Sequence, residues 1–235
     1  MRLGGLQKLT LLDFPEHVAC TIFTLGCNFR CPYCHNSSLV VPGRFREEGE
    51  ISEEEFFAFL KKRQGLLDGV AITGGEPLIQ KDISEFIRKI RDLGYLVKLD
   101  TNGAFPEKLK EILDEGLVDF VAMDIKTVPE DYASVCGIAD PPVAKLKESI
   151  GLLRGSKVPF EFRTTVIDEV HDESVMEKIG ELIEGVDRYF LQQFEDSGEL
   201  IDEGRYTSPS MEKMECLLKT VRKKVPNAQI RGIEE

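Results

Sequence analysis

His17-Val18-Ala19-Cys20-Thr21-Ile22-Phe23-Thr24-Leu25-Gly26-Cys27-Asn28-Phe29-Arg30-Cys31-Pro32-Tyr33-Cys34-His35-Asn36 joins a short β-rich run, a glycine stop and three closely spaced cysteines. The run over His17 to Thr24 reads as a strand, so the cysteines sit on the loop that follows it. Thiolates are soft ligands suited to iron-sulfur clusters or zinc. A cubane held by only three cysteines keeps one iron open, where a substrate or cofactor can be chelated. Zinc completed by His35 is the competing assignment, but zinc sites pair two cysteines with a second pair or with spaced histidines, and neither is present. A chance cluster of cysteines in a turn ranks below both.

Outward from this loop the chain repeats one beat of strand, loop and helix. Ser52, with Glu55 three residues on, forms a capping box that opens a helix presenting Phe56, Phe57 and Leu60. Val70 to Thr73, Tyr95 to Leu99, Val118 to Met123, Phe160 to Val166 and Arg188 to Gln193 read as further strands. Between them lie helices carrying Ile83, Phe86, Ile87, Ile90 and Leu93, then Leu109, Ile112 and Leu113, then Val143 to Arg154, then Val175, Met176, Ile179, Leu182 and Ile183. Ser208-Pro209 is expected to cap a last helix, and Ala228 to Ile230 to add a terminal strand. Glu47 to Glu50 read as a solvated acidic loop. Six strand-helix units with short connections imply an α/β fold with a parallel sheet curled into a barrel, and residues 1–235 read as a single domain.

The net charge of −12 provides no basic surplus to neutralise phosphates, which argues against a nucleic-acid partner. No stretch approaches the roughly 20 apolar residues a membrane helix requires, and Met1-Arg2-Leu3-Gly4-Gly5 does not look like a signal peptide. The expectation is a cytoplasmic protein whose clustered cysteines mean metal rather than cross-links. Of the other cysteines, Cys20 and Cys216 read as small core residues and Cys136 as a loop residue without a partner. His17 and His171 read as ordinary strand-edge and helix-start residues.

In parallel barrels, function gathers at the C-terminal ends of the strands. The unusual polar groups of this sequence fall there. Gly74-Gly75-Glu76-Pro77 ends the second strand, with two glycines that let a ligand approach the backbone, a carboxylate for an ammonium group, and a proline that fixes the exit. Asp100-Thr101-Asn102 and Asp124-Ile125-Lys126 end the third and fourth strands. Alternation puts Arg163 and Thr165 on one face of the fifth strand, and an inward arginine there requires a partner.

The three cysteines with Tyr33 before the last resemble the signature of the radical S-adenosylmethionine enzymes. The lead-in Gly5-Leu6-Gln7-Lys8-Leu9-Thr10-Leu11-Leu12-Asp13-Phe14-Pro15 and the sequel Cys34-His35-Asn36 narrow the likeness to the activating proteins of glycyl-radical enzymes, in particular that of anaerobic ribonucleoside-triphosphate reductase. The resemblance implies a partial (βα)6 TIM-like barrel with outer helices and a 4Fe-4S cluster on Cys27, Cys31 and Cys34. It implies S-adenosylmethionine held by Tyr33, Gly74, Gly75, Glu76, Pro77, Asp100, Thr101, Asn102, Asp124, Lys126, Arg163 and Thr165. Lys126 would meet the cofactor's carboxylate, Asp100, Thr101 and Asp124 would hold a monovalent cation, and His35 would order the cluster loop. Some activases have a histidine near the adenine; this chain reads Leu191-Gln192-Gln193-Phe194, leaving Gln193 as the candidate. The implied reaction is reductive cleavage of S-adenosylmethionine to a 5'-deoxyadenosyl radical, which takes a hydrogen atom from a glycine of a large partner enzyme. A reduced flavodoxin- or ferredoxin-like protein would donate the electron. Activation of a pyruvate formate-lyase type enzyme, or a small-molecule radical reaction, is the alternative within the resemblance; a zinc-stabilised interaction domain is the alternative outside it.

Overall fold

In a computed structural model, residues 1–45, 49–196 and 198–232 are described. Of the acidic loop expected over Glu47 to Glu50, Glu47 and Glu48 lie outside the described residues. One open sheet runs in chain order: β1 (Leu3–Thr10), β2 (Ala19–Thr24), β3 (Gly69–Gly74), β4 (Leu96–Thr101), β5 (Phe120–Asp124), β6 (Phe160–Val166), β7 (Tyr189–Gln193) and β8 (Gln229–Arg231). β1 is antiparallel to β2, and every later pair is parallel. The six expected strands are β2 to β7, and the expected terminal strand is β8.

β1 goes beyond the sequence reading. Its apolar alternation is interrupted by Gly4 and Gly5, and its pairing with β2 slips between Leu3 and Gly5 and again between Gln7 and Thr10. A Cβ on Gly4 would stand 2.6 Å from the side-chain ends of both Leu25 and Leu39, which would have to shift to admit it.

Alternation along the parallel strands separates two environments. Ile22, Ile72, Leu99, Met123, Phe162 and Leu191 point outward and join the main apolar core under the helices. The alternate positions point inward. At the strand starts these are Ala19, Leu96 and Phe120, which close on Phe14 to form a small separate cluster. A Cβ on Gly69, the first residue of β3, would stand 2.7 Å from the Phe14 ring. The N-terminal end of the curled sheet is thus plugged with hydrocarbon, and the polar inward residues are left at the other end.

The helices are α1 (Ser37–Val40), α2 (Glu53–Arg63), α3 (Ile83–Asp92), α4 (Pro106–Asp114), α5 (Tyr132–Cys136), α6 (Val143–Gly155), α7 (Glu173–Leu182) and α8 (Met211–Val221). α2 starts with the anticipated capping box between Ser52 and Glu55. α8 is capped by Ser210, whose side chain accepts from Lys213 N–H, and not by Ser208; Pro209 lies before the cap. Cys216 is exposed on α8, contrary to its core assignment, because Met214, Leu217 and Val221 form the buried stripe. Among the described residues no helix is long and apolar enough to cross a membrane.

Candidate functional site

The loop over Gly26 to Asn36 leaves β2 through Gly26 at φ +87° and is folded back by its own backbone. Gly26 N–H donates to Leu39 O at 2.8 Å, and Cys34 N–H to Cys31 O at 3.0 Å. The Arg30 guanidinium donates to the carbonyls of Cys27 and Phe29 at 2.6 and 2.7 Å. This arrangement turns Cys27, Cys31 and Cys34 into one cavity of about 460 Å³, together with Tyr33. Burial pushes the Cys27 thiol up to about 12 and raises Cys34. A hydrogen bond from the neighbouring Cys136 thiol holds Cys31 below the ordinary thiol value. Among the described residues no three histidine, cysteine or carboxylate side chains converge as ligands of a single ion.

Cys136 is no unpartnered loop residue. It ends α5, is fully buried, and is tied to the cysteine loop by Arg30 N–H, which donates to Cys136 O at 2.8 Å. Gly137 follows at φ +64°, where a Cβ would stand 2.2 Å from Arg30 O.

Gly74 and Gly75 line the cavity, and the neighbouring backbone leaves no room for a side chain at either position. A Cβ on Gly74 would meet Thr24 N at 2.3 Å, and one on Gly75 would meet Gly26 O at 1.8 Å. The backbone entering the cysteine loop lies where those side chains would be. Gly75 N–H donates to Thr24 O and Glu76 N–H to Gly26 O, both at 2.9 Å, while Asn36 Nδ2 donates to Gly74 O at 3.0 Å. The two motifs are one backbone unit. Pro77 starts a short 3-10 turn over Pro77–Ile79 and is buried away from the cavity lining.

Glu76 is 1 % exposed, and its carboxylate accepts from Leu78 N–H (3.1 Å), the Thr101 hydroxyl (2.9 Å) and Asn102 N–H (2.6 Å). Burial nevertheless dominates and pushes its carboxyl up to about 7. Asn102 also donates from Nδ2 to Asn28 Oδ1 at 2.8 Å, linking the end of β4 to the cysteine loop.

Across β4, β5 and β6 runs a chain of alternating charge. Lys98 pairs with Asp100. Arg163 bridges Asp100 at 3.1 Å and Asp124 at 3.0 Å, and Asp124 reaches Lys126 at 2.9 Å. The partner that an inward Arg163 requires is therefore a pair of carboxylates. Burial alone would raise Asp100 and Asp124, but the cations beside them hold both below the usual carboxylate range. Lys126 is likewise held well above its ordinary value by Asp124, against burial. Lys126, at the end of this chain, lines the cavity and can meet an anionic group of a ligand. The oxygen cage expected for a monovalent cation is not assembled: Arg163 stands between Asp100 and Asp124, and the Thr101 hydroxyl is committed to Glu76.

Thr165 and Gln192 complete this wall of the cavity. Gln193 does not line it; its Nε2 donates to Pro209 O at 2.8 Å on the opposite face of β7. Tyr33 packs edge-on against Phe194 and Tyr206, and its buried hydroxyl has no hydrogen-bond partner among the described residues. His35 stacks on Phe194 at 5.6 Å rather than bonding within the loop. A larger groove of about 690 Å³ lies between α4 and α6; it is lined by Lys110, Asp114, Glu148 and Lys157 and carries no thiol.

The donor set fits the expected groups. Three thiols, an orphaned phenol, a carboxylate and an ammonium surround one cavity, which matches a sulfur-bound cluster and a ligand with amino and carboxylate ends. Sequence reasoning missed Gln7, Asp13, Thr21, Phe23 and Gln192 as lining residues. Gln7 and Asp13 belong to the quoted lead-in, and alternation along β2 would have found Thr21 and Phe23.

Residues 21–182 match the family described as the Radical SAM superfamily. A Methanocaldococcus jannaschii protein bearing the name of a glycyl-radical enzyme activating enzyme is 32% identical over 98% of this chain and 95% of its own. The pyruvate formate-lyase-activating enzyme of Clostridium pasteurianum is 30% identical over 58% of this chain and 57% of its own. In fold, the chain is similar to Streptococcus suis SuiB bound to S-adenosylmethionine, with a TM-score of 0.66, 14% identity and coverage of 90% of this chain and 49% of that one.

Proposed function

The chain belongs to the radical SAM superfamily, a family of 4Fe-4S and S-adenosylmethionine enzymes, and from that premise we propose that it activates a glycyl-radical enzyme. The observation that carries the reading is the meeting, in one cavity, of the three thiols with Glu76 and Lys126 at the C-terminal ends of neighbouring strands. The whole-length likeness to the Methanocaldococcus jannaschii protein supports the choice of substrate class.

In this reading Cys27, Cys31 and Cys34 hold the cluster. Glu76, with the backbone of Gly74 and Gly75, takes the cofactor's amino group, and Lys126 takes its carboxylate. Arg163, Asp100, Asp124, Thr165 and Asn102 set the polar wall around it, and Tyr33 offers its free hydroxyl and ring. No monovalent cation is assigned, because Arg163 already spans the two carboxylates that would hold one. When bound, the cluster and S-adenosylmethionine supply a 5'-deoxyadenosyl radical able to take a hydrogen atom from a glycine Cα. The protein positions the groups and excludes water from them.

The partner assigned is a large glycyl-radical enzyme, anaerobic ribonucleoside-triphosphate reductase, on the lead-in and the Cys34-His35-Asn36 sequel. A reduced flavodoxin- or ferredoxin-like protein would supply the electron. The Clostridium pasteurianum relative favours a second reading, activation of a pyruvate formate-lyase type enzyme. The test is anaerobic incubation of the cluster-loaded protein, S-adenosylmethionine and a reductant with each enzyme in turn. A glycyl-radical signal on the reductase alone supports the first reading, one on the lyase alone supports the second, and none on either removes both.

A further inference from the structure

The backbone of Lys126 is gripped from two sides by buried aromatic side chains that the proposed chemistry does not use. Its N–H donates to the Tyr132 hydroxyl at 3.0 Å, and its carbonyl oxygen lies 3.0 Å from His171 Nε2. The proton on His171 can be placed. Ile167 N–H, 2.9 Å from Nδ1, can only donate, so Nδ1 bears the lone pair and Nε2–H donates to Lys126 O. His171 is fully buried, and its own N–H donates back to Ile167 O at 3.0 Å, closing the loop after β6 on itself.

The location gives this bond its consequence. β5 ends at Asp124, and only Ile125 continues the pairing, through its N–H to Arg163 O at 2.8 Å and its carbonyl from Thr164 Oγ1 at 2.6 Å. Lys126 is the first residue past the ladder, and its ammonium hangs on a flexible four-carbon stem. The position of that ammonium depends on what fixes the backbone.

We propose that His171 is a positioning residue for Lys126, holding the strand end at which the ammonium meets the carboxylate of S-adenosylmethionine. This rests on the role given to Lys126 above. His171 does not line the cavity, so its effect travels through Lys126.

The test compares the affinity of the anaerobic, cluster-loaded protein for S-adenosylmethionine and for its decarboxylated analogue. His171→Asn keeps an acceptor for Ile167 N–H but is too short to reach Lys126, whereas His171→Gln returns a donor near the Nε2 position. The preference for the carboxylated ligand is expected to fall about tenfold in H171N, to stay within about twofold of wild type in H171Q, and to vanish in Lys126→Met. H171N added to K126M should change nothing further. Equal weakening of both ligands by H171N, or an undiminished effect of H171N without Lys126, overturns the proposal while leaving the role of Lys126 intact. An unchanged preference in K126M overturns that role and the proposal with it. Should H171N fail to take up its cluster, H171Q decides: a tenfold loss of preference there overturns the assignment, and a retained preference supports it.

Discussion

A Cβ on Gly75 would stand 1.8 Å from the carbonyl oxygen of Gly26, so the end of β3 and the start of the cysteine loop approach as closely as bare backbone permits. Gly75→Ala must therefore push the cysteine loop away. It is expected to lower the melting temperature and the iron bound per chain together. Gly151, inside α6 with nothing within 4 Å of its Cβ position, is the contrast. Gly151→Ala is expected to stabilise the protein by about 0.5–1 kcal/mol with iron content unchanged. Thermal melts with iron analysis on both variants check this.

In the proposed reading the thiols divide into ligands and bystanders. Alanine at Cys27, Cys31 or Cys34 is expected to abolish the cluster. Cys216→Ala, on the exposed face of α8, is expected to keep it, and so is Cys136→Ala. Iron and sulfide analysis after anaerobic reconstitution separates the two groups; loss of the cluster in C136A would make Cys136 a fourth ligand and remove the open iron.

Arg163 holds two carboxylates whose own pKa values lie below the ordinary range because of it and its lysine neighbours. A depressed carboxylate contributes stability that is present above its unfolded value and is lost as pH falls through the folded one. Arg163→Met leaves both carboxylates facing each other and is expected to cost about 3 kcal/mol at pH 7. That gap should close as the solution is taken below pH 4. Urea unfolding across pH measures it, and a gap independent of pH would contradict the pairing.

Glu76 works in the opposite sense. Burial raises its carboxyl to about 7, so the folded protein holds an extra proton above the unfolded carboxylate value. Its contribution to apoprotein stability is complete below the unfolded value and is lost as pH rises through about 7. An amino group requires the ionised form, so S-adenosylmethionine is expected to bind about tenfold more weakly at pH 6 than at pH 8. Glu76→Gln should flatten that step. Binding titrations across this range check it, and a step that persists in E76Q assigns it elsewhere.

What the sequence disclosed follows the range of the interactions. The cysteine loop and the order of parallel strands were legible because spacing and alternation are local. The carboxylate partners of Arg163 could be anticipated, since a charge turned inward on an apolar strand must be met. β1 was hidden by Gly4 and Gly5, which break its apolar alternation. The cause of Gly75, the neighbourhood of Cys136 and the bond from His171 to Lys126 each join segments far apart in the chain, so none leaves a local pattern. Cys216 was misplaced because apolar neighbours in sequence are not neighbours around a helix.

The central claim is that the three thiols hold a cluster whose open iron receives S-adenosylmethionine. The most direct measurement is electron paramagnetic resonance of the anaerobically reconstituted, reduced protein before and after the cofactor is added. The account predicts a cubane signal that changes on addition. No cluster, or a signal indifferent to the cofactor, would contradict it.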